Sequence, residues 1–309
     1  MRKNMKTMKE WTVDAKWGKI AMVSWGDPSN PPVLLVHGYM DSAATFIFLV
    51  EQLPDDYYYV AFDLPGHGQS DPFPGGAVVS LLHMVEVVRL VVDYMRWEKF
   101  VYISHSMAVI IGMFYNHSFP GYITKMVLID PAPSFFMHHL HNTPRFAYEY
   151  LFELYYSFFE RWNAANTKIL TMEEAVNLSH RTRTITEEQA RIIIPRSLIP
   201  AGEEKFTLTL VPKMKRIASA DVSPETLITI LTQKTPPLLI VEASINICAG
   251  PGKDFAAKII QKCLTVRHSL SVTVEGSHDV HITNPDGVAV HVVKFLKSDF
   301  DGRLVRGKL

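Results

Sequence analysis

Short apolar runs closed by turn residues alternate along this chain with longer segments whose apolar positions recur at helical spacing. Lys19 to Trp25 predicts a strand, ended by the dense turn signal Gly26-Asp27-Pro28-Ser29-Asn30-Pro31. Pro32-Val33-Leu34-Leu35-Val36 predicts a second strand, which stops at His37-Gly38. Tyr57 to Phe62 predicts a third, ending at Asp63-Leu64-Pro65-Gly66-His67-Gly68, and Ser42 to Leu53 between them is long enough for a helix. Leu81 to Trp97 carries Val87, Leu90, Val91 and Tyr94 on one helical stripe. A strand from Phe100, a helix after Ser106 and a strand over Met126–Asp130 follow. Continuously apolar strands separated by helices imply a mostly parallel α/β sheet with helices on both faces.

The alternation stops after Asp130. The next hundred or so residues turn helical and aromatic, with Phe135, Phe136, Phe146, Tyr148, Tyr150, Phe152, Tyr155, Tyr156, Phe158, Phe159 and Trp162 close together. The sheet pattern resumes with a strand at Pro237–Val241, a helix near Phe255 to Cys263, a strand at Leu270–Val274 and a last helix from Pro285 to Leu296. The chain therefore divides into a core, residues 10–132 and 236–300, and a helical cap inserted at 133–235.

Composition adds mainly exclusions. With 48% apolar residues in 309, a sizeable core is available. Lys plus Arg and Asp plus Glu each number 31, so no basic excess favours a nucleic-acid partner. No apolar run is long enough for a transmembrane segment, and no apolar stretch follows the basic start Met1-Arg2-Lys3 as a secretory signal would require. Cys248 and Cys263 are too few for a disulfide framework, so a reducing, cytoplasmic setting is expected. Gly307-Lys308-Leu309, behind Arg303 and Arg306, resembles a weak form of the Ser-Lys-Leu peroxisomal address; the alternative is an ordinary basic terminus.

The chemistry gathers where strands end. Phe100-Val101-Tyr102-Ile103-Ser104-His105-Ser106-Met107-Ala108 is an apolar strand ending in a serine, with a helix-length run directly behind it. That is the setting of a nucleophile elbow, although Ser104 and Ala108 replace the glycines of Gly-x-Ser-x-Gly. Parallel α/β sheets place ligands at the C-terminal ends of their strands. His37-Gly38-Tyr39 brings a backbone N–H there, Ser106-Met107 a nucleophile and a second N–H, and Gly276-Ser277-His278 a base. His281 is the fallback base. His37 and His67 fit loop structure better than substrate contact, and His105 fits packing beneath the elbow. Asp41 and Asp71 fit loop caps, and His138, His139 and His141 fit a solvated helix face rather than a metal site.

On His37-Gly38, Asp63 to Ser70, the elbow and Gly276 to His281, the chain resembles the α/β-hydrolase superfamily. On Leu53-Pro54, Tyr58-Tyr59-Val60-Ala61 and His278 to Pro285 it resembles the animal serine hydrolase-like proteins. The resemblance covers most of residues 10–297 and implies a Ser–His–acid hydrolase with oxyanion N–H donors at Tyr39 and Met107 and no cofactor or metal. Epoxide hydrolases and haloalkane dehalogenases resemble the same fold but use an aspartate where Ser106 stands. The family places its acid after the strand at Pro237–Val241, where this chain has Glu242-Ala243-Ser244-Ile245-Asn246 and no aspartate. Four outcomes are open: Asp130 supplies the acid, Asp254 or Glu242 reaches in, Asn246 orients the histidine as a neutral partner, or the triad is broken. Asp130 is favoured, because Ile129-Asp130-Pro131-Ala132 resembles the Leu-Asp-Pro-Ala motif from which some lipases take theirs.

The expected protein is therefore a serine hydrolase, with Ser106, His278 and Asp130 as its triad. Its expected substrate is a small hydrophobic ester or thioester, suggested by the aromatic cap. The alternative is a catalytically impaired ligand-binding protein on the same scaffold.

Overall fold

The computed structural model describes residues 6–140, 145, 148–219, 222–245, 247–248 and 250–299. The seven predicted strands and one more, β1, form a sheet of eight: β1 (Met8–Ala15), β2 (Gly18–Trp25), β3 (Pro32–Val36), β4 (Tyr58–Phe62), β5 (Phe100–His105), β6 (Ile123–Ile129), β9 (Leu238–Ala243) and β10 (Leu270–Val274). Their order is β1-β2-β4-β3-β5-β6-β9-β10. Pairing from β4 to β10 is parallel, while β1–β2 and β2–β4 are antiparallel.

Alternate side chains of each strand enter different cores. In β3, Leu34 and Val36 join one cluster and Val33 and Leu35 the other. The first face is covered by α2 (Leu81–Met95), α3 (Ala108–Ser118), α4 (Ala132–Leu140), α9 (Pro224–Thr232) and α10 (Pro251–Cys263). The second is covered by α1 (Ile47–Gln52), α11 (Val280–Thr283) and α12 (Pro285–Lys297). Each fully buried Val or Leu contributes about 1.5–3 kcal/mol, so these two layers dominate stability.

Two local expectations are corrected. Strand β1 was hidden by Lys9, Glu10 and Asp14, because an edge strand buries little; only Val13 of its eight residues is buried. In α2 the buried face is centred on Met84, Val88 and Val91, and Tyr94 is exposed. The stripe through Val87 and Tyr94 runs along the margin of that face, and the two overlap too closely for periodicity to separate them.

Residues 133–235 include α5 (Leu154–Ser157), α6 (Phe159–Asn163), α7 (Met172–Thr182) and α8 (Glu187–Ile193), but also a hairpin, β7 (Leu198–Gly202) with β8 (Lys205–Leu208). At one end of this block Phe135 is fully buried in the first sheet core, as are Leu227 and Leu231 at the other. The middle forms its own cluster of Leu170, Ala175, Val176, Ile185, Ala190, Ile193 and Leu198, which meets the core at Ala44 and Ile282. Tyr148, Phe152, Tyr156 and Phe158 are exposed. Two arginines tie this block to the sheet: Arg196 pairs with buried Asp63, and Arg183 with Asp41 and Asp279.

Cys248 and Cys263 are buried and not joined in a disulfide. No helix among the described residues is long and apolar enough to cross a membrane. Asn246, His141, Arg303, Arg306 and Gly307-Lys308-Leu309 lie outside the described residues, as do the side chains of His138 and His139.

Candidate active site

His105 of β5 pairs in register with Ile129 of β6, so Ser106 and Asp130 are the next residues on neighbouring strands. Both leave the sheet through left-handed backbone, φ 52 at Ser106 and φ 44 at Asp130. That conformation costs a non-glycine residue about 1–2 kcal/mol, so the surroundings must hold it. Ser106 N–H donates to the Ile129 carbonyl at 3.0 Å and Asp130 N–H to the Val241 carbonyl at 2.7 Å.

The substituted elbow glycines are accommodated without open space. Ser104 and Ala108 are fully buried, and Ser104 Oγ donates to the Val127 carbonyl at 3.3 Å. One turn later, at Gly112, the helix has no room for a side chain. A Cβ there would lie 2.1 Å from Cε1 of Tyr102, whose hydroxyl donates to the Ala108 carbonyl. A methyl-sized demand for glycine thus exists at this crossing, displaced from the usual position.

His278, in the loop after β10, meets both groups. Its Nε2 lies 2.9 Å from Ser106 Oγ and its Nδ1 lies 2.5 Å from Asp130 Oδ2. With Nδ1–H donating to the carboxylate, the Nε2 lone pair accepts the serine hydroxyl proton. The other carboxylate oxygen, Asp130 Oδ1, accepts the Ala243 N–H at 3.2 Å. The carboxylate that meets His278 thus comes from the end of β6, while the end of β9 contributes a backbone donor to its other oxygen. Ser106 is buried, whereas a quarter of the His278 side chain is exposed.

The rival acids are elsewhere. Glu242 accepts a bond from Ser271 on β10, and Asp254 is exposed in the first turn of α10. His281 is fully buried against the rings of Phe46 and His105, with neither ring nitrogen hydrogen-bonded. Burial holds its pKa far below the ordinary value. His278, and not His281, faces the serine.

His37, His67 and His105 are buried framework. His37 Nε2 accepts the Leu64 N–H, and burial lowers its pKa to about 4. His67 is lowered to about 3, again by burial. His105 Nε2–H donates to the His278 carbonyl at 2.9 Å, and burial with the nearby His278 lowers its pKa to about 4. This support of the His278 backbone was not evident from sequence. Asp71 is a loop cap, accepting the Lys19 N–H. Asp41 caps Ser42 but also binds Arg183.

Tyr39 and Met107 lie in the two segments beside the serine. Met107 follows Ser106 at the start of α3, and Gly38 brings the Tyr39 loop so close that a Cβ at Gly38 would lie 3.1 Å from that of Ser106. The geometry brings a hydroxyl, an imidazole and a carboxylate into one hydrogen-bonded line, a set suited to nucleophilic acyl transfer.

The sequence profile of the α/β-hydrolase fold matches residues 31–183. A human protein named serine hydrolase-like protein 2 is 28% identical over 299 residues, covering 91% of each chain. A zebrafish (Danio rerio) serine hydrolase-like protein is 27% identical, covering 93% of this chain and 88% of its own. Among solved structures, a hypothetical protein from Pseudomonas aeruginosa PAO1 superposes with a TM-score of 0.78 at 21% identity, covering 94% of this chain and 99% of that one. The fold, the profile and these relatives make the chain a member of the α/β-hydrolase superfamily, a hydrolase that resembles the animal serine hydrolase-like proteins.

Proposed function

We propose that the protein is a serine hydrolase that cleaves a small ester or thioester bearing an apolar group, through an acyl-enzyme. Ser106 Oγ attacks the carbonyl while His278 Nε2 takes its proton. Asp130 holds the Nδ1–H tautomer and stabilises the imidazolium, and the Tyr39 and Met107 amides receive the oxyanion. The imidazolium then protonates the leaving alcohol or thiol, and a water activated by the same nitrogen releases the acid. The observation that carries this reading is the unbroken line from Asp130 through His278 to Ser106. A binding protein would not need Asp130 held at two oxygens in strained backbone, so the line supports turnover over ligand binding alone.

An apolar substrate group is supported by the aromatic content of the inserted block. The test is hydrolysis of p-nitrophenyl butyrate together with covalent labelling by a fluorophosphonate. The parent protein should do both and Ser106→Ala neither. Labelling undiminished in Ser106→Ala would overturn the assignment.

A further inference from the structure

One guanidinium joins three parts of the molecule that are far apart in sequence. Arg183 ends helix α7 of the inserted block, and its Nη1 and Nη2 donate to the two oxygens of Asp41 at 2.7 and 2.9 Å. The same Nη2 donates to Asp279 Oδ1 at 2.6 Å, and Nε to Asp279 Oδ2 at 3.2 Å. All four carboxylate oxygens therefore accept from one side chain. The Asp41 and Asp279 side chains are only 4% and 11% exposed.

Each carboxylate sits next to a group the proposed chemistry uses. Asp41 follows Tyr39 by two residues, across Met40, whose φ of 55 is left-handed and unfavourable for a methionine. The Ser42 N–H and Arg183 together fix Asp41, and so hold Met40 in that conformation. Asp279 directly follows His278, whose carbonyl is held from below by His105. The Arg183 fork thus ties the loop of the oxyanion donor Tyr39 to the loop of the base.

Asp41, His105, Asp279 and His281 offer ligand atoms within 4.8 Å of one another, a spacing that suits a metal ion. Arg183 already fills the carboxylate side of that cluster as its cation. Burial pushes the Asp41 carboxyl up, and Arg183 overrides it, leaving the pKa below its ordinary value. Burial opposes charge on Arg183 as well, and the two carboxylates more than offset that effect.

Resting on the serine hydrolase reading above, we propose that Arg183 is a positioning residue for that reaction. From the cap it supplies the charge that holds the Tyr39 amide and the His278 imidazole in register with Ser106. Without it, two buried carboxylates repel one another, Met40 relaxes and both loops shift. Misplacement of reacting groups by about 1 Å costs about 100-fold in rate.

The test uses the full chain, p-nitrophenyl butyrate, and active sites titrated with a fluorophosphonate. Arg183→Ala should lower kcat per titrated site by about 10- to 100-fold, with KM changed much less, because the loss is in transition-state geometry. Arg183→Lys keeps the charge without the fork and should recover only part of kcat. Adding Asp279→Asn to Arg183→Ala should restore part of the loss by relieving repulsion. A kcat per site equal to the parent's in Arg183→Ala would overturn the proposal. If that variant does not fold, parent-like kcat in both Arg183→Lys and Asp279→Asn would do so. A parent protein inert to ester and probe would instead defeat the hydrolase reading and the clamp with it; an active parent with active Arg183 variants defeats the clamp alone.

Discussion

Replacing Asp130 by asparagine is the sharpest test of how this site is wired. Asparagine tolerates left-handed backbone, so the φ of 44 at this position should survive and the fold with it. The change then acts through two hydrogen bonds. Asp130 Oδ1 accepts the Ala243 N–H and Oδ2 accepts the His278 Nδ1–H, so both neighbours are donors. An amide offers one acceptor and one donor. If its oxygen stays with Ala243, its NH₂ faces His278, and Nδ1 must become the acceptor. The proton then moves to Nε2, which can no longer take the proton of Ser106. If the amide turns over, its NH₂ opposes the Ala243 N–H and a buried amide loses its bond. Locking the wrong tautomer costs about 10⁴-fold in kcat, equivalent to about 5 kcal/mol of transition-state stabilisation. Hydrolysis of p-nitrophenyl butyrate, with circular dichroism to verify folding, reads the effect directly. Asp254→Asn and Glu242→Gln serve as controls, since one is exposed and the other is bonded to Ser271. A folded Asp130→Asn protein within about tenfold of the parent would refute the tautomer argument.

Three further outcomes follow from the histidines. His278→Ala should reduce turnover by about 10⁴-fold or more, because it removes the imidazole bonded to Ser106. His281→Ala should leave kcat close to the parent's but destabilise the fold by about 2–4 kcal/mol, as an emptied core site does, read as a lower urea midpoint. The reverse ranking in kcat would move the base to His281. Acid should also weaken the fold. Burial depresses His37 and His105 to about 4 and His67 to about 3, from 6.5. Between those values and 6.5 the unfolded chain binds protons that the folded one refuses, so stability is full above pH 6.5 and falls as pH drops towards 4. Each histidine contributes up to about 1.4 kcal/mol per pH unit within that window. Urea midpoints at pH 7.5, 6.5 and 5.5 should decline below 6.5; a flat series would show that these rings are not held neutral.

The sequence by itself determined the parallel core, because continuous apolar strands bounded by turns leave little choice of architecture. It also singled out Ser106 and His278 at strand ends, since turn chemistry is local. Ile129-Asp130-Pro131-Ala132 made Asp130 the favoured acid, but only the tertiary structure shows which carboxylate meets His278. That answer depends on β5 and β6 being neighbours in register and on the Ala243 amide arriving from β9. Strand β1, the hairpin β7–β8 and the true buried face of α2 were also beyond local pattern. Their burial is partial or set by what packs against them, and periodicity records only the average direction of an element's apolar side. The clearest case is Arg183, which lies 142 residues from Asp41 and 96 from Asp279. A charged residue at the end of an exposed-looking helix carries no local mark of its partners; the fold alone brings three such charges into one buried contact.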